Sequence, residues 1–185
     1  MADPNQRTMH TFVAYVEDKP GVLNRVASLF RRRMYNIISL NVGRTHEPGV
    51  SRMTFVVEAD DDTALRIEAN LYKQVNVLSV EDITHAASVK RDLALIKVSV
   101  GADKRAEVLQ LCEVFRARPI DLAHDTLIIE ITGNHEKIEG LIAVLEPFGI
   151  LELVHAGTVA MTRGAEGRAA RAVHQNMNVR GIAAA

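Results

Sequence analysis

The segment from residue 15 to residue 37, YVEDKPGVLNRVASLFRRRMYNI, decides the fold of the first part of the chain. A strand of alternating apolar residues ends at Glu17, and an amphipathic helix is predicted from about Pro20 to Arg33. Between them lies the junction Asp18-Lys19-Pro20-Gly21. Proline fixes the backbone of a first helical turn, and glycine has no side chain to obstruct a neighbour. The junction is therefore either a turn that begins a helix or a space left for a ligand.

The pattern on both sides of this segment predicts the order strand, helix, strand, strand, helix, strand. A turn around Pro48-Gly49 separates the second and third strands, and Asp61 or Asp62 is expected to cap the second helix. This order is that of a ferredoxin-like βαββαβ unit with both helices on one face of the sheet. The four strands are expected at residues 10–17, 36–45, 51–59 and 75–84.

A second unit with the same order follows after roughly 80 residues. Its architecture repeats the first unit, although its sequence hardly does. Its elements are expected as strand 93–100, helix 103–116, two strands within 119–132, helix 134–148 and a last strand 150–162. The fold class is thus predicted to be α+β, with two ferredoxin-like domains in tandem. The domain boundaries are expected at 9–86 and 90–164, followed by a disordered tail at 165–185.

The composition excludes several classes of protein. A formal net charge of −1 argues against nucleic acid or a membrane surface as a partner. Cys112 is the only cysteine, so no disulfide can form within the chain and a reducing compartment is expected. The sequence has no signal-peptide pattern and no apolar run of about 18 residues. A soluble, cytoplasmic protein is expected.

The first junction has the chemistry of an anion site. A helix N-terminus offers unpaired N–H groups and a partial positive charge, and Gly21 permits close approach of a carboxylate. Asp18 either caps the helix or meets an ammonium group, while Val22 and Leu23 offer apolar contact. Asn36 is either a turn residue or a donor and acceptor for the same ligand. The second junction, VGADKRAEV, has no Pro-Gly pair, which favours a ligand at the first.

No catalytic or metal-binding pattern stands out. Cys112 lies on an apolar helix stripe and is interpreted as a core residue. The run Asp60–Asp62 is interpreted as a helix start, and Arg31–Arg33 as a solvated helix end or a partner-binding patch. Seven histidines occur without metal-ligand spacing, at positions 10, 46, 85, 124, 135, 155 and 174. The sequence therefore predicts a binding protein with no catalytic residue and no metal site.

Six segments together resemble one known family. They are VEDKPGVLNRVASLFRRRMYNIISLNVGRT, SRMTFVV, QVNVLSVEDIT, KRDLALIKV, EVFRARPIDL and AGTVAMTRG. The resemblance is to the small, regulatory subunits of acetolactate synthase (acetohydroxyacid synthase), whose N-terminal domain is an ACT domain. It covers about residues 9–164.

The resemblance implies a subunit without a catalytic site of its own. Such a subunit activates a catalytic subunit that carries thiamine diphosphate, magnesium and FAD, and confers feedback inhibition by valine or another branched-chain amino acid. It also implies no cofactor in this subunit, and a homodimer of paired ACT domains with the effector at their interface. The implied effector contacts are Asp18, Gly21, Val22, Leu23, Asn36 and Ile37.

Three positions depart from the family pattern. Asp18, Met34 and Ile38 stand where the family often has Asn, Gly and Glu, respectively. These departures concern the identity of the effector and the sensitivity to it. Two other hypotheses remain: a free-standing amino-acid sensor for a different target, and a small enzyme on the same scaffold, such as an acylphosphatase. The enzyme would need an arginine in the first junction, which reads Glu17-Asp18-Lys19.

Overall fold

The computed structural model describes residues 7–164 and Val173, which fall into two compact units. The first unit contains residues 7–89 together with 160–164 and Val173, and the second contains residues 90–159. Each unit has the predicted order of two helices and four strands. The predicted tail 165–185 lies outside the described residues, apart from Val173.

The first unit is a four-stranded antiparallel sheet with the order β2-β3-β1-β4. Alternate residues of β1 and β3, among them Phe12 and Phe55, pack against the apolar stripes of the two helices and are completely buried. The ring of Phe30 stacks on Phe55 at a centroid distance of 5.3 Å. The elements are β1 (Thr8–Glu17), α1 (Val22–Arg32), β2 (Ile37–Arg44), β3 (Val50–Ala59), α2 (Asp61–Tyr72) and β4 (Val77–Asp82).

The residue that caps α2 is Asp60, so the expectation of Asp61 or Asp62 is wrong. The Asp60 carboxylate accepts hydrogen bonds from the backbone N–H and the hydroxyl of Thr63. Asp60 has an extended backbone, which an N-cap residue requires, whereas Asp61 and Asp62 are already in the first helical turn. These hydrogen bonds hold the pKa of the Asp60 carboxyl below its ordinary value.

The second unit has a sheet with the order β6-β7-β5-β8. Its core is aliphatic and includes Cys112, which confirms the interpretation of this residue as a core residue. Burial raises the pKa of the Cys112 thiol. The elements are β5 (Ser88–Ser99), α3 (Arg105–Phe115), β6 (Arg118–Leu122), β7 (Thr126–Gly133), α4 (His135–Leu145), a 3-10 turn (Glu146–Phe148) and β8 (Ile150–His155). The short strand β9 (Val159–Thr162) follows and belongs to the first unit from Ala160 onward.

The predicted last strand, 150–162, is two strands. Gly157 has a φ of 78°, in the left-handed region, which interrupts the extended backbone between β8 and β9. After this break, Ala160 is buried with Val13 and Ile83 of the first unit. The backbone N–H of Arg163 donates to the carbonyl of Ala87. Residues 160–163 thus belong to the first unit, whose other elements are formed by residues 7–89.

Candidate functional site

Gly21 begins α1 in a conformation that favours glycine. Its φ of 82° lies in the left-handed region, and its carbonyl accepts the first helical hydrogen bond from Arg25. A Cβ added to Gly21 would meet no atom within 4 Å. No side chain in the described part of the chain caps this helix, and its first turn contains no acidic residue. Among the described residues, the positive end of α1 therefore has no side-chain cap, and the space beside Gly21 is open.

Asp18 does not cap α1, so of the two roles considered for it, capping is wrong. Its Oδ1 accepts a hydrogen bond from the Ser51 hydroxyl at 3.1 Å, and its Oδ2 lies 3.1 Å from Nε of Arg44. Its backbone N–H donates to the carbonyl of Gly49 at 2.8 Å. The carboxylate is therefore directed to the hairpin between β2 and β3, with 38% of the side chain exposed.

Val22 and Leu23 differ in what they offer a ligand. Val22 is 4% exposed and packs in the core of the first unit, whereas Leu23 is 44% exposed. Because the side chain of Val22 is engaged in the core, Leu23 is the one of the two whose side chain is exposed at this junction. The backbone N–H of Val22 donates to the carbonyl of Lys19 at 3.3 Å.

Asn36 and Ile37 lie at the opposite end of the same sheet. Ile37 pairs with Val57, which pairs in turn with His10, seven residues before Glu17 on β1. At about 3.3 Å per strand residue, the row of paired residues that contains Ile37 is roughly 23 Å from the end of β1 at Glu17. A single chain therefore does not bring Asn36 and Ile37 to the side of Gly21. Ile38 is the extra residue of a bulge in the edge strand β2 and is 46% exposed.

A second group of charged and polar side chains connects the junction to the segment before β4. Glu17 is 8% exposed, and its Oε2 is contacted by Lys19 Nζ at 2.9 Å and by the Asn76 amide at 2.7 Å. Arg25 in turn donates to Asn76 Oδ1 at 2.8 Å. These contacts attach the start of α1 to the segment before β4. Lys19 is thereby directed to Glu17.

The sequence interpretation missed Arg44 and Ser51, which hold Asp18. The two residues face each other across the β2–β3 pair. Extending the predicted hairpin outward from Pro48-Gly49 would have brought them together. Their proximity to Asp18 depends on the pairing of β1 with β3, which hydrophobic alternation alone does not specify.

Within residues 7–164, no group of three or more His, Cys, Asp or Glu side chains is arranged to hold a metal ion. His10 is 1% exposed, and its Nδ1 lies 2.8 Å from Oδ2 of Asp82. It is thus a core histidine with a carboxylate partner. None of the helices in the described part of the chain is long and apolar enough to cross a membrane.

Two family models match the two halves of the chain. Residues 12–79 match the ACT domain of acetohydroxyacid synthase small subunits, and residues 91–164 match the small subunit of acetolactate synthase. The chain belongs to the acetolactate synthase small-subunit family. It is a regulatory small subunit with an ACT domain, and the fold expected from its sequence is confirmed.

Relatives and a solved structure agree with this assignment. The acetolactate synthase small subunit of Mycolicibacterium smegmatis is 45% identical over 88% of this chain and 96% of its own length. A probable acetolactate synthase small subunit of Archaeoglobus fulgidus is 46% identical, over 84% of this chain and 97% of its own. The crystal structure of the small subunit from Thermotoga maritima aligns with a TM-score of 0.78 at 41% identity. It covers 85% of this chain and 98% of the Thermotoga chain.

Proposed function

We propose that this regulatory subunit activates an acetolactate synthase catalytic subunit and makes it sensitive to valine or another branched-chain amino acid. Membership of the small-subunit family supports a catalytic subunit as the partner. Thiamine diphosphate, magnesium and FAD then belong to that partner, and this chain supplies neither a cofactor nor a catalytic group. The expected location is the cytoplasm.

The uncapped N-terminus of α1 is the observation that supports the proposed effector site. A free amino acid has a carboxylate, an ammonium group and a side chain, and each has a counterpart here. The N–H groups at the start of α1 suit the carboxylate, and the missing side chain of Gly21 leaves room for it. Asp18 suits the ammonium group, and the half-exposed Leu23 suits an aliphatic side chain.

A homodimer accounts for the remaining predicted contacts. Asn36 and Ile37 lie roughly 23 Å from the Gly21 end of the sheet, by the strand register at about 3.3 Å per residue. An effector that touches both groups must therefore lie between two copies of the chain. The edge strand β2 and the turn between α1 and β2 expose Met34, Ile38 and Val42, which suits an interface. We propose that ACT domains pair along this edge.

Reconstitution tests the proposal. The full-length subunit is added to the catalytic subunit from the same source, and acetolactate formation is measured with and without valine, leucine or isoleucine. We expect an increase in rate, and inhibition by at least one of the three amino acids. A subunit that neither co-elutes with nor activates the catalytic subunit would refute the proposed activation and favour a sensor with a different target.

Direct binding supplies an independent measurement. A ligand that binds only the folded protein raises its unfolding midpoint, so the effective amino acid should increase the melting temperature of the isolated subunit. An unchanged midpoint at millimolar concentrations of all three amino acids would refute the proposed effector site, while leaving activation to be decided by the rate measurement.

A further inference from the structure

The carboxylate of Asp18 is held by two side chains of the β2–β3 hairpin. Ser51 donates its hydroxyl to Oδ1, and Nε of Arg44 lies 3.1 Å from Oδ2. The two side chains come from residues that are directly paired across β2 and β3. The backbone of Asp18 is also fixed, because its N–H donates to the carbonyl of Gly49 in the turn of the same hairpin.

The two partners of Asp18 differ in how firmly they are held. Ser51 is 7% exposed, whereas the Arg44 side chain is 87% exposed. Ser51 therefore orients the carboxylate from a fixed position. Arg44 contributes a long, solvated side chain to an exposed ion pair, of a kind that usually contributes little to stability. Such a pair can exchange one cation for another.

We propose that Arg44 competes with the ammonium group of the effector for Asp18. This inference rests on the proposed function, since it assigns a role to Arg44 at the proposed effector site. In the unliganded subunit the guanidinium neutralises the carboxylate. When an amino acid binds, its ammonium group takes over Oδ2 and Arg44 turns to solvent.

The neighbouring carboxylate explains why Asp18 is the exchangeable acceptor. Glu17 is 8% exposed and is already contacted by Lys19 and by the amide of Asn76. An ammonium group at Glu17 would have to enter the protein and break both contacts. At Asp18 it has to displace only one exposed guanidinium, which makes Arg44 a determinant of the effector concentration to which the subunit responds.

The test is a calorimetric titration of the intact subunit with valine. Replacing Arg44 with Gln should lower the Kd for valine about two- to fivefold, because an exposed competitor for Asp18 is removed. Arg44→Lys, which keeps a cation, should stay close to the wild type. The matched control is Arg91→Gln, which removes one exposed arginine from the second unit and should leave the Kd unchanged.

Two further arms identify the mechanism. The gain from Arg44→Gln should shrink in high salt, which screens the exposed ion pair. The gain from Arg44→Gln should also disappear when Asp18 is changed to Asn, because the carboxylate for which Arg44 and the ammonium group compete is then absent. A gain that persists in the Asp18→Asn background would overturn the inference.

The direction in which Arg44→Gln changes the Kd for valine distinguishes this inference from its alternatives. Weaker valine binding by Arg44→Gln would mean that Arg44 holds the effector's carboxylate, and an unchanged Kd would mean that it plays no part. Either result overturns the inference and leaves the proposed effector site standing. If the wild-type subunit binds none of valine, leucine and isoleucine, the proposed site fails, and this inference fails with it.

Discussion

The two units end their first helices in the same way and begin them differently. After α1, Met34 adopts a φ of 57°, its N–H donates to Arg31, and the N–H of Tyr35 donates to Phe30. After α3, Arg116 adopts a φ of 49° and the corresponding hydrogen bonds recur. Both ends are Schellman motifs, which satisfy the last carbonyls of a helix.

The helix starts are unlike. Gly21 is left-handed, and the position of its missing Cβ is open. In the second unit Lys104 precedes α3 with a right-handed backbone, and a Cβ on Gly101 would lie 2.8 Å from Oδ1 of Asp103. The same fold therefore forms with either kind of helix start. The open helix start at Gly21 is not required by the topology, and this difference between the units supports the proposal that a ligand binds there.

The largest expected effect tests whether the units can be perturbed separately. Phe55→Ala should destabilise the first unit by about 3–5 kcal/mol, because it removes a fully buried ring that stacks on Phe30. All three tyrosines, at positions 15, 35 and 72, lie in that unit, and the chain has no tryptophan. Urea unfolding followed by tyrosine fluorescence therefore reports the first unit.

The matched variant in the second unit is Ile129→Ala. It should lower the stability of the core around Cys112 by about 2–5 kcal/mol. The single thiol is buried and its pKa is raised, so its labelling rate reports opening of the second unit. If Ile129→Ala shifts the tyrosine transition as far as Phe55→Ala does, the two units unfold as one.

The next largest effect concerns the start of α1 at Gly21. Gly21→Asp should raise the valine concentration for half-inhibition by at least about tenfold, since a negative charge would occupy the proposed place of the effector's carboxylate. The measurement is inhibition of the reconstituted synthase, in which activation should largely survive. Gly164→Asp is the matched control, because Gly164 also has a positive φ, 71°, and nothing within 4 Å of its added Cβ. Unchanged valine inhibition in Gly21→Asp would place the site elsewhere.

The second helices of the two units provide a smaller contrast. Asn134 caps α4 by accepting from the backbone N–H of Lys137, and Asn134→Ala should cost about 1 kcal/mol at any pH at which the protein is folded. Asp60 caps α2 as a carboxylate whose pKa is lowered from 3.8. Its contribution is present above pH 3.8 and is lost as the pH falls through the lower pKa of the folded state.

Urea unfolding between pH 7 and pH 3 checks this difference. The destabilisation by Asp60→Ala should diminish toward the acid end, whereas that by Asn134→Ala should stay constant. A cost of Asp60→Ala that is equally large at both ends would show that the charge of the cap is irrelevant.

The smallest effect concerns the shared helix end. Met34→Gly and Arg116→Gly should each stabilise their unit by about 0.5–1 kcal/mol, because a left-handed backbone is unfavourable for a residue with a side chain. The midpoint of urea unfolding, read by tyrosine fluorescence and by Cys112 labelling respectively, measures the gain. A loss of stability in either variant would show that the side chain packs favourably enough to outweigh the backbone cost.

Much of the fold followed from local patterns in the sequence. Alternation in β1 and the helical stripe of α1 predicted both elements to within about two residues. The strand-helix order then identified the fold class of both units. The cap of α2 was misplaced by one or two residues, because any member of a run of three aspartates fits the pattern and only the backbone at Asp60 decides among them.

The sequence by itself determined the architecture and marked the Gly21 junction, because periodicity and the conformational properties of glycine and proline act over a few residues. Only the tertiary structure decided what lies beside that junction. The pairing of β1 with β3 brings Arg44 and Ser51 to Asp18, and the same register places Asn36 at the far end of the sheet. Such neighbours depend on strand register between distant segments, which a one-residue shift would change completely.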